Sequence, residues 1–328
     1  MRDCWHTSSP ATTSQRNEGA AAARIEVTEL LELANALGQR FDVGSLQLTW
    51  VSGGDTASAY RVQLDDGRIL FVKHVRHSKS SVDVASGTVD DVRAGMFEAE
   101  HRGLELLGST GVVPVPEVIA WSDESPAFLV LAWIHSAPPA VDHDETLGRS
   151  LAALHTAPFP NFGLDHHNWV GSVQQLNTPV PTWPEFFAVR RLIPLFTAAV
   201  AAGAVDPAGR ITLDRVIHRL PALCGPPEAP ALLHGDLWAG NAITDASGNP
   251  VVIDPAVYGG HREIDLAMMR LFGGFSARVF DAYAEASPLA DGHAERVALY
   301  QLPPLLVHAV LFGAGFGERV VEVLRRYA

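Results

Sequence analysis

Leu232-Leu-His-Gly-Asp-Leu-Trp-Ala-Gly-Asn241, followed by Val251-Val-Ile-Asp254, is the stretch on which the reading of this chain turns. Asp236 is followed five residues later by Asn241, and eighteen residues after Asp236 an apolar run ends in Asp254. Asp and Asn favour turns and helix caps, so any one of the three is unremarkable alone. Together they supply what phosphoryl transfer requires. One carboxylate orients an attacking hydroxyl and takes its proton, and two further oxygen groups hold a divalent cation against phosphates. A loop with Asp236 and Asn241, beside a strand ending in Asp254, offers all three.

The chain around this stretch divides in two. Before it, helical spacing at Val27, Leu30, Leu31, Ala34 and Leu37 predicts a helix stopping near Gly38. Strand-like runs follow at 46–51, 58–64 and 68–75, the last two joined by the hairpin signal Asp65-Asp66-Gly67. Residues 76–91 read as a mobile polar connection. A helix with Phe97, His101, Leu104 and Leu107 on one face comes next, then two strands at 112–121 and 127–134. Prolines 138 and 139 mark a linker, beyond which helical patterns dominate apart from the β insertion at 232–254. The expectation is an α+β protein of two lobes: a sheet-rich one over 25–135, and a helix-rich one over 136–328. Residues 1–24 are expected to be a disordered leader or a misassigned start.

Composition excludes other classes. Hydrophobic residues make up 47% and charged ones 19%, too apolar for a disordered chain. The net charge of −13 comes without a basic stripe, which argues against nucleic acid and membrane surfaces as partners. No apolar run reaches the roughly 20 residues of a membrane span. Cys4 and Cys224 are too few for a disulfide framework, which suits a cytoplasmic protein. No HExxH or paired Cys/His spacing accompanies the 14 histidines, so no structural metal is expected. No Walker A motif is present.

The nucleotide side has its own signals. Gly53 and Gly54 sit between two strands, where small residues let backbone N–H groups approach an anion. Lys73 stands on the third strand, ahead of a Glu-bearing helix, and is read as the cation for the nucleotide phosphates.

The segments HGDLWAGN (234–241), DPAVYGGHREIDLAM (254–268) and LFGGF (271–275) resemble the fructosamine kinase (ketosamine-3-kinase) family, within the aminoglycoside-phosphotransferase and protein-kinase-like superfamily. MFEAEHRGLELL (96–107), FGLDHHNWVGS (162–172) and WPEFFAVRRL (183–192) support the match, which departs from the usual pattern at Ala239 and Gly259. The resemblance implies a protein-kinase-like fold, with a small β-sheet lobe carrying one key helix and a larger helical lobe. It implies ATP and Mg²⁺ as cofactors. Asp236 would be the catalytic base, Asn241 and Asp254 the metal ligands, and Glu100 rather than Glu98 the partner of Lys73. Adenine would lie against Ala132, Trp133 and Ile134. The implied acceptor is a ketosamine such as a ribulosamine or fructosamine adduct, phosphorylated on the third-carbon hydroxyl in deglycation repair. That acceptor could be small or a glycated protein, and the enzyme is expected to be a monomer.

Other conspicuous residues take blander readings. His234 is expected to brace the loop by hydrogen bonding, and Asp265 to hold its backbone. Trp183, Phe186 and Phe187 read as core, and Phe272 to Phe275 as helix termination and packing. Arg190 and Arg191 read as partners of surface acids rather than as a site for an anionic acceptor group. The segment His166 to Trp169 is a candidate wall of the acceptor pocket. Two alternatives stand beside the leading one: a kinase for an aminoglycoside or choline-like amine, and a non-catalytic pseudokinase. The second would be expected to lack one of Lys73, Asp236, Asn241 and Asp254, and all four are present.

Overall fold

The computed structural model describes residues 13–51, 57–75, 81–83, 88–90 and 95–328; of 13–26, 81–83 and 88–90 only the backbone is considered. Helix α1 (Thr13–Phe41) opens the described chain. It begins inside the stretch expected to be a disordered leader, where Ala20 to Ala23 are strong helix formers. It also passes through Gly38, because one glycine costs a helix only about 1 kcal/mol.

Strands β1 (Leu46–Val51), β2 (Ser58–Leu64) and β3 (Ile69–His74) form a meander. After them come β4 (Ser81–Asp83), β5 (Thr88–Asp90), helix α2 (Met96–Ser109), β6 (Val118–Ser122) and β7 (Phe128–Ala132). β6 is shorter than expected: Pro114 and Pro116 cannot donate to a ladder, so pairing starts only at Val118. The five-stranded sheet has the order β1-β2-β3-β7-β6, antiparallel throughout. Side chains alternate across it. Tyr60, Val62, Leu70, Val72 and Val130 pack with Leu33 and Leu37 of α1. Leu129 and Leu131 pack with Phe97 and Leu104 of α2 on the opposite face. That same alternation sends Phe71 and Lys73 to the α2 side, where a cleft opens.

The helical lobe begins with α3 (His143–Thr156), then β8 (Asn168–Val170) and β9 (Val173–Gln175). Next is a long bent helix made of α4 (Trp183–Phe186), a π turn (Phe187–Leu192) and α5 (Ile193–Ala201), followed by α6 (Arg210–Leu223). β10 (Ala231–Leu233), β11 (Ala242–Thr244), β12 (Pro250–Val252) and β13 (Tyr258–Gly260) form the insertion. The remainder is α7 (Glu263–Leu271), α8 (Ala277–Ala286), α9 (His293–Tyr300), α10 (Leu302–Phe312) and α11 (Ala314–Tyr327). As expected, Trp183, Phe186 and Phe187 are core, stacked among Tyr258 and Tyr300.

The polar stretch 76–91 holds more than a connection. β4 pairs with β5, and also in parallel with β9 of the helical lobe through Val82 and Val173, giving a sheet β5-β4-β9-β8 that joins the lobes. Across the same seam Arg102 of α2 donates from Nη2 to Asp165 Oδ2 at 2.8 Å. Among the described residues no helix is long and apolar enough to cross a membrane.

Candidate active site

Between the lobes lies a cleft of 760 Å³. Lys73, Glu100, Ala132, Trp133, Ile134, Asp236, Asn241 and Asp254, eight of the residues singled out from the sequence, line it together. Gly53 and Gly54 lie outside the described residues.

Two short β pairs frame the loop that carries the chemistry. β10 pairs with β13 through Leu233 and Tyr258, and β11 pairs with β12 through Ala242 and Val252. The chain therefore leaves β10, turns through 234–241, returns along β12 and arrives at Asp254 beside its starting point. Gly235 has φ +84°, and a Cβ there would stand 2.0 Å from the Ala256 carbonyl oxygen, so only glycine fits. Gly259 is equally constrained, since a Cβ would lie 1.9 Å from Asn161 O. Asp254 itself adopts φ +56°, a left-handed backbone uncommon outside glycine and held here by the flanking strands.

Hydrogen bonds then fix the loop. The fully buried Asp265 accepts from the backbone N–H of His234 at 2.7 Å and of Gly235 at 2.9 Å. Burial alone would oppose its ionisation. The hydrogen bond from His155 (Nε2 to Oδ2, 3.3 Å) and the neighbouring charges outweigh it, so its pKa falls below the ordinary value. His234 Nε2 lies 3.0 Å from Ile253 O, which can only accept, so this nitrogen carries the proton. Nδ1 accepts the Asp236 N–H at 3.3 Å. Burial lowers the pKa of His234. Both ring nitrogens are thus engaged, and the ring braces the loop.

The charged groups converge at its mouth. Lys73 Nζ contacts Glu100 Oε1 at 2.7 Å and Asp254 Oδ1 at 2.6 Å. Burial opposes its charge, but Asp254 and then Glu100 more than compensate, and its pKa is raised. Glu98 is exposed and leaves the lysine to Glu100. Two backbone bonds from Asp123 seat the start of α2: Oδ1 accepts from Phe97 N and Oδ2 from Glu98 N, both at 3.0 Å. Asn241 donates from Nδ2 to Asp236 O at 2.8 Å and toward Asp236 Oδ2 at 3.4 Å. Burial, then the charges of Asp254 and Asp265, raise the pKa of Asp236 to about 7.

This geometry fits Mg²⁺ chemistry. With Nδ2 of Asn241 committed to the loop, its Oδ1 remains for a ligand. Asp254 has one oxygen on Lys73 and keeps the other. Both are hard oxygen donors of the kind Mg²⁺ takes alongside water and phosphate. Among the described residues no group of three or more His, Cys, Asp or Glu could hold a metal ion by itself. The two oxygen donors fit an ion whose other positions are filled by water and phosphate.

Of the segment His166 to Trp169, Asn168 and Trp169 line the cleft, whereas His167 accepts the Asn177 N–H and His166 pairs with Asp165. Several features were not legible from the sequence. Phe272 follows the end of α7, before Gly273 and Gly274 with positive φ, and also lines the cleft beside His308 and Phe312 of α10. Arg191 does not pair with surface acids. It is fully buried, donating to Leu176 O and Asn177 Oδ1 (2.7 Å each) with its guanidinium 4.0 Å from the Tyr258 ring centroid. An arginine buried inside a helix gives no sequence signal here, because its carbonyl partners, Leu176 and Asn177, lie past the end of β9 and meet it only in the fold.

A lysine–glutamate pair in a sheet lobe, facing an aspartate–asparagine loop and a second aspartate in a helical lobe, defines a phosphotransferase of the kinase-like class. The chain belongs to the fructosamine kinase family, whose model matches residues 28–328. A probable ketoamine kinase of Synechocystis is 38% identical over 236 residues, 70% of this chain and 78% of that protein. The chloroplastic protein-ribulosamine 3-kinase of Oryza sativa is 33% identical, over 71% of this chain and 68% of its own. Among solved structures, a Thermobifida fusca protein assigned as a fructosamine-3-kinase superposes with a TM-score of 0.74 at 40% identity, covering 85% of this chain and 92% of that one.

Proposed function

We propose that this protein uses ATP and Mg²⁺ to phosphorylate the third-carbon hydroxyl of a ketosamine. The observation that carries the reading is the convergence in one cleft of the half-buried Asp236 carboxyl with Asn241, Asp254 and Lys73, desolvation and neighbouring charge raising the Asp236 pKa to about 7. A carboxylate so poised accepts a hydroxyl proton readily near neutral pH. Family membership and the relatives' names supply the acceptor class.

Asp236 orients the acceptor hydroxyl and takes its proton as the hydroxyl oxygen bonds to the γ-phosphorus. The bond between that phosphorus and the β–γ bridging oxygen breaks, and ADP leaves. Lys73, held by Glu100, neutralises the α/β-phosphates. Asn241 Oδ1 and Asp254 would hold Mg²⁺, which when bound offsets phosphate charge. Ala132, Trp133 and Ile134 give the adenine its wall. The acceptor is a small sugar–amine adduct, with ribulosamines of small amines or lysine preferred over bulky protein-bound fructosamines. The biological sense is deglycation repair by a monomer in the cytoplasm. The test is to incubate the protein with labelled ATP and equal ribulosamine, fructosamine, kanamycin and choline, and to locate the phosphate by NMR. Labelling of the ketosamine at carbon three is expected. Preferential labelling of kanamycin or choline would sink the ketosamine reading.

A further inference from the structure

A smaller cavity, of about 20 Å³, shares Val170, Asp236 and Met268 with the lining of the cleft, and has Gln175, Pro304 and Val307 among its other walls. A space of that size admits one or two groups as large as water. Gln175, the last residue of β9, is only 5% exposed.

Its amide orientation follows from its neighbours. Val257 O can only accept, so Asn168 turns Nδ2 to it at 2.7 Å and presents Oδ1 to Gln175. Gln175 must answer with Nε2, at 3.4 Å. Oε1 then accepts nothing from the described residues, yet it is not sealed from solvent. A nearly buried carbonyl oxygen is thus left open in a residue that lines the same cavity as Asp236. Arg191 holds the position from beneath by binding the next two residues, through Leu176 O and Asn177 Oδ1.

Building on the ketosamine reading, we propose that Gln175 determines specificity for a second acceptor hydroxyl. Its Oε1 accepts a hydrogen bond from the hydroxyl on carbon four, next to the one that Asp236 engages, so the site selects a vicinal diol. Leaving a nearly buried acceptor unpaired costs enough to reject analogues without that donor by ~10- to 100-fold.

The test measures kcat/KM for three acceptors: a ribulosamine of a small amine, its 4-deoxy analogue and its 4-deoxy-4-fluoro analogue. Fluorine keeps the size but cannot donate. Wild type should prefer the parent over both analogues by ~10- to 100-fold. Gln175→Met, close in volume and without an acceptor oxygen, should bring that preference within about threefold, with KM for ATP unchanged. Equal use of all three acceptors by wild type, or a preference that survives in a folded Gln175→Met, overturns this inference alone. No turnover of the parent ribulosamine by wild type overturns the functional reading and this inference with it. If Gln175→Met does not fold, the fluoro analogue decides: use at the parent rate is the overturning result, and rejection supports the proposal.

Discussion

Asp236 keeps its carboxyl in a site that resists charge, and its amide neighbour Asn241 orients it. Asp236→Asn should preserve the fold, because the amide fills the same space, and lose turnover by ~10²-fold or more, the usual worth of a positioned base. Near wild-type turnover in a variant with native circular dichroism removes Asp236 from that role. Lys73 and Glu100 behave asymmetrically. Lys73→Ala deletes the cation and leaves Glu100 and Asp254 facing phosphate unopposed, whereas Glu100→Gln keeps a hydrogen-bond acceptor on the lysine. The alanine variant should therefore lose more kcat/KM than the glutamine variant, and Glu98→Gln should be silent. Damage from Glu98→Gln with a silent Glu100→Gln would contradict the pairing. Lys73 and Asp236 were legible because each sits near the end of a strand or in a loop with a short local pattern around it, whereas Glu100, inside α2, was reached through the family resemblance. Gln175 and Arg191 were not: their meaning depends on Asn168, Asn177 and Tyr258, which only the fold brings together.

At the level of elements, the catalytic loop is a backbone object held by one side chain. Asp265 satisfies two buried N–H groups, at His234 and Gly235, and each would cost about 1–3 kcal/mol if left unpaired. Asp265→Ala should lower unfolding free energy by roughly 2–5 kcal/mol. Asp265→Asn, which keeps one acceptor oxygen, should lose less. Urea titration measures both, and an Asp265→Ala variant as stable as wild type would exclude the brace. Because the carboxyl titrates below its ordinary value when folded, its contribution is present at neutral pH and is lost as pH falls through that lowered pKa. The framing strands were partly readable: the β insertion at 232–254 and the apolar run ending in Asp254 showed in the sequence, whereas the pairing of β10 with β13 did not. β8, β9, β4 and β5, three residues each, were missed, since so short a run of mixed polarity carries no period. β4–β5 and β8–β9 are local hairpins, but the β4–β9 pairing that joins them is long-range, and no local signal announces it.

For the whole molecule the question is whether two lobes behave as one. The Pro-rich stretch near 138 reads as a linker between the lobes, and a linker alone would allow independent melting. The structure adds the β4–β9 pairing and the Arg102–Asp165 bond across the seam, together with Lys73 of one lobe bound to Asp254 of the other. The exposed Arg102–Asp165 pair contributes little by itself. The Lys73–Asp254 contact is different, because separating the lobes leaves a carboxylate and an ammonium to be paired elsewhere in a partly buried cleft. Calorimetry should accordingly show a single endotherm. A nucleotide that binds only the closed, folded cleft stabilises both lobes through mass action, by about 2.7 kcal/mol at a concentration 100 times its Kd. For a chain of this length that corresponds to a rise of roughly 4 °C in Tm, shared by the whole transition. Mg²⁺ without nucleotide should shift it far less, since the protein offers one carboxylate and one amide oxygen and needs phosphate oxygens to complete the ion's shell. Two separate endotherms, with only the first moved by Mg·ATP, would show that the seam does not couple the lobes. An equal shift from Mg²⁺ alone would place the ion's main ligands somewhere other than Asn241 and Asp254.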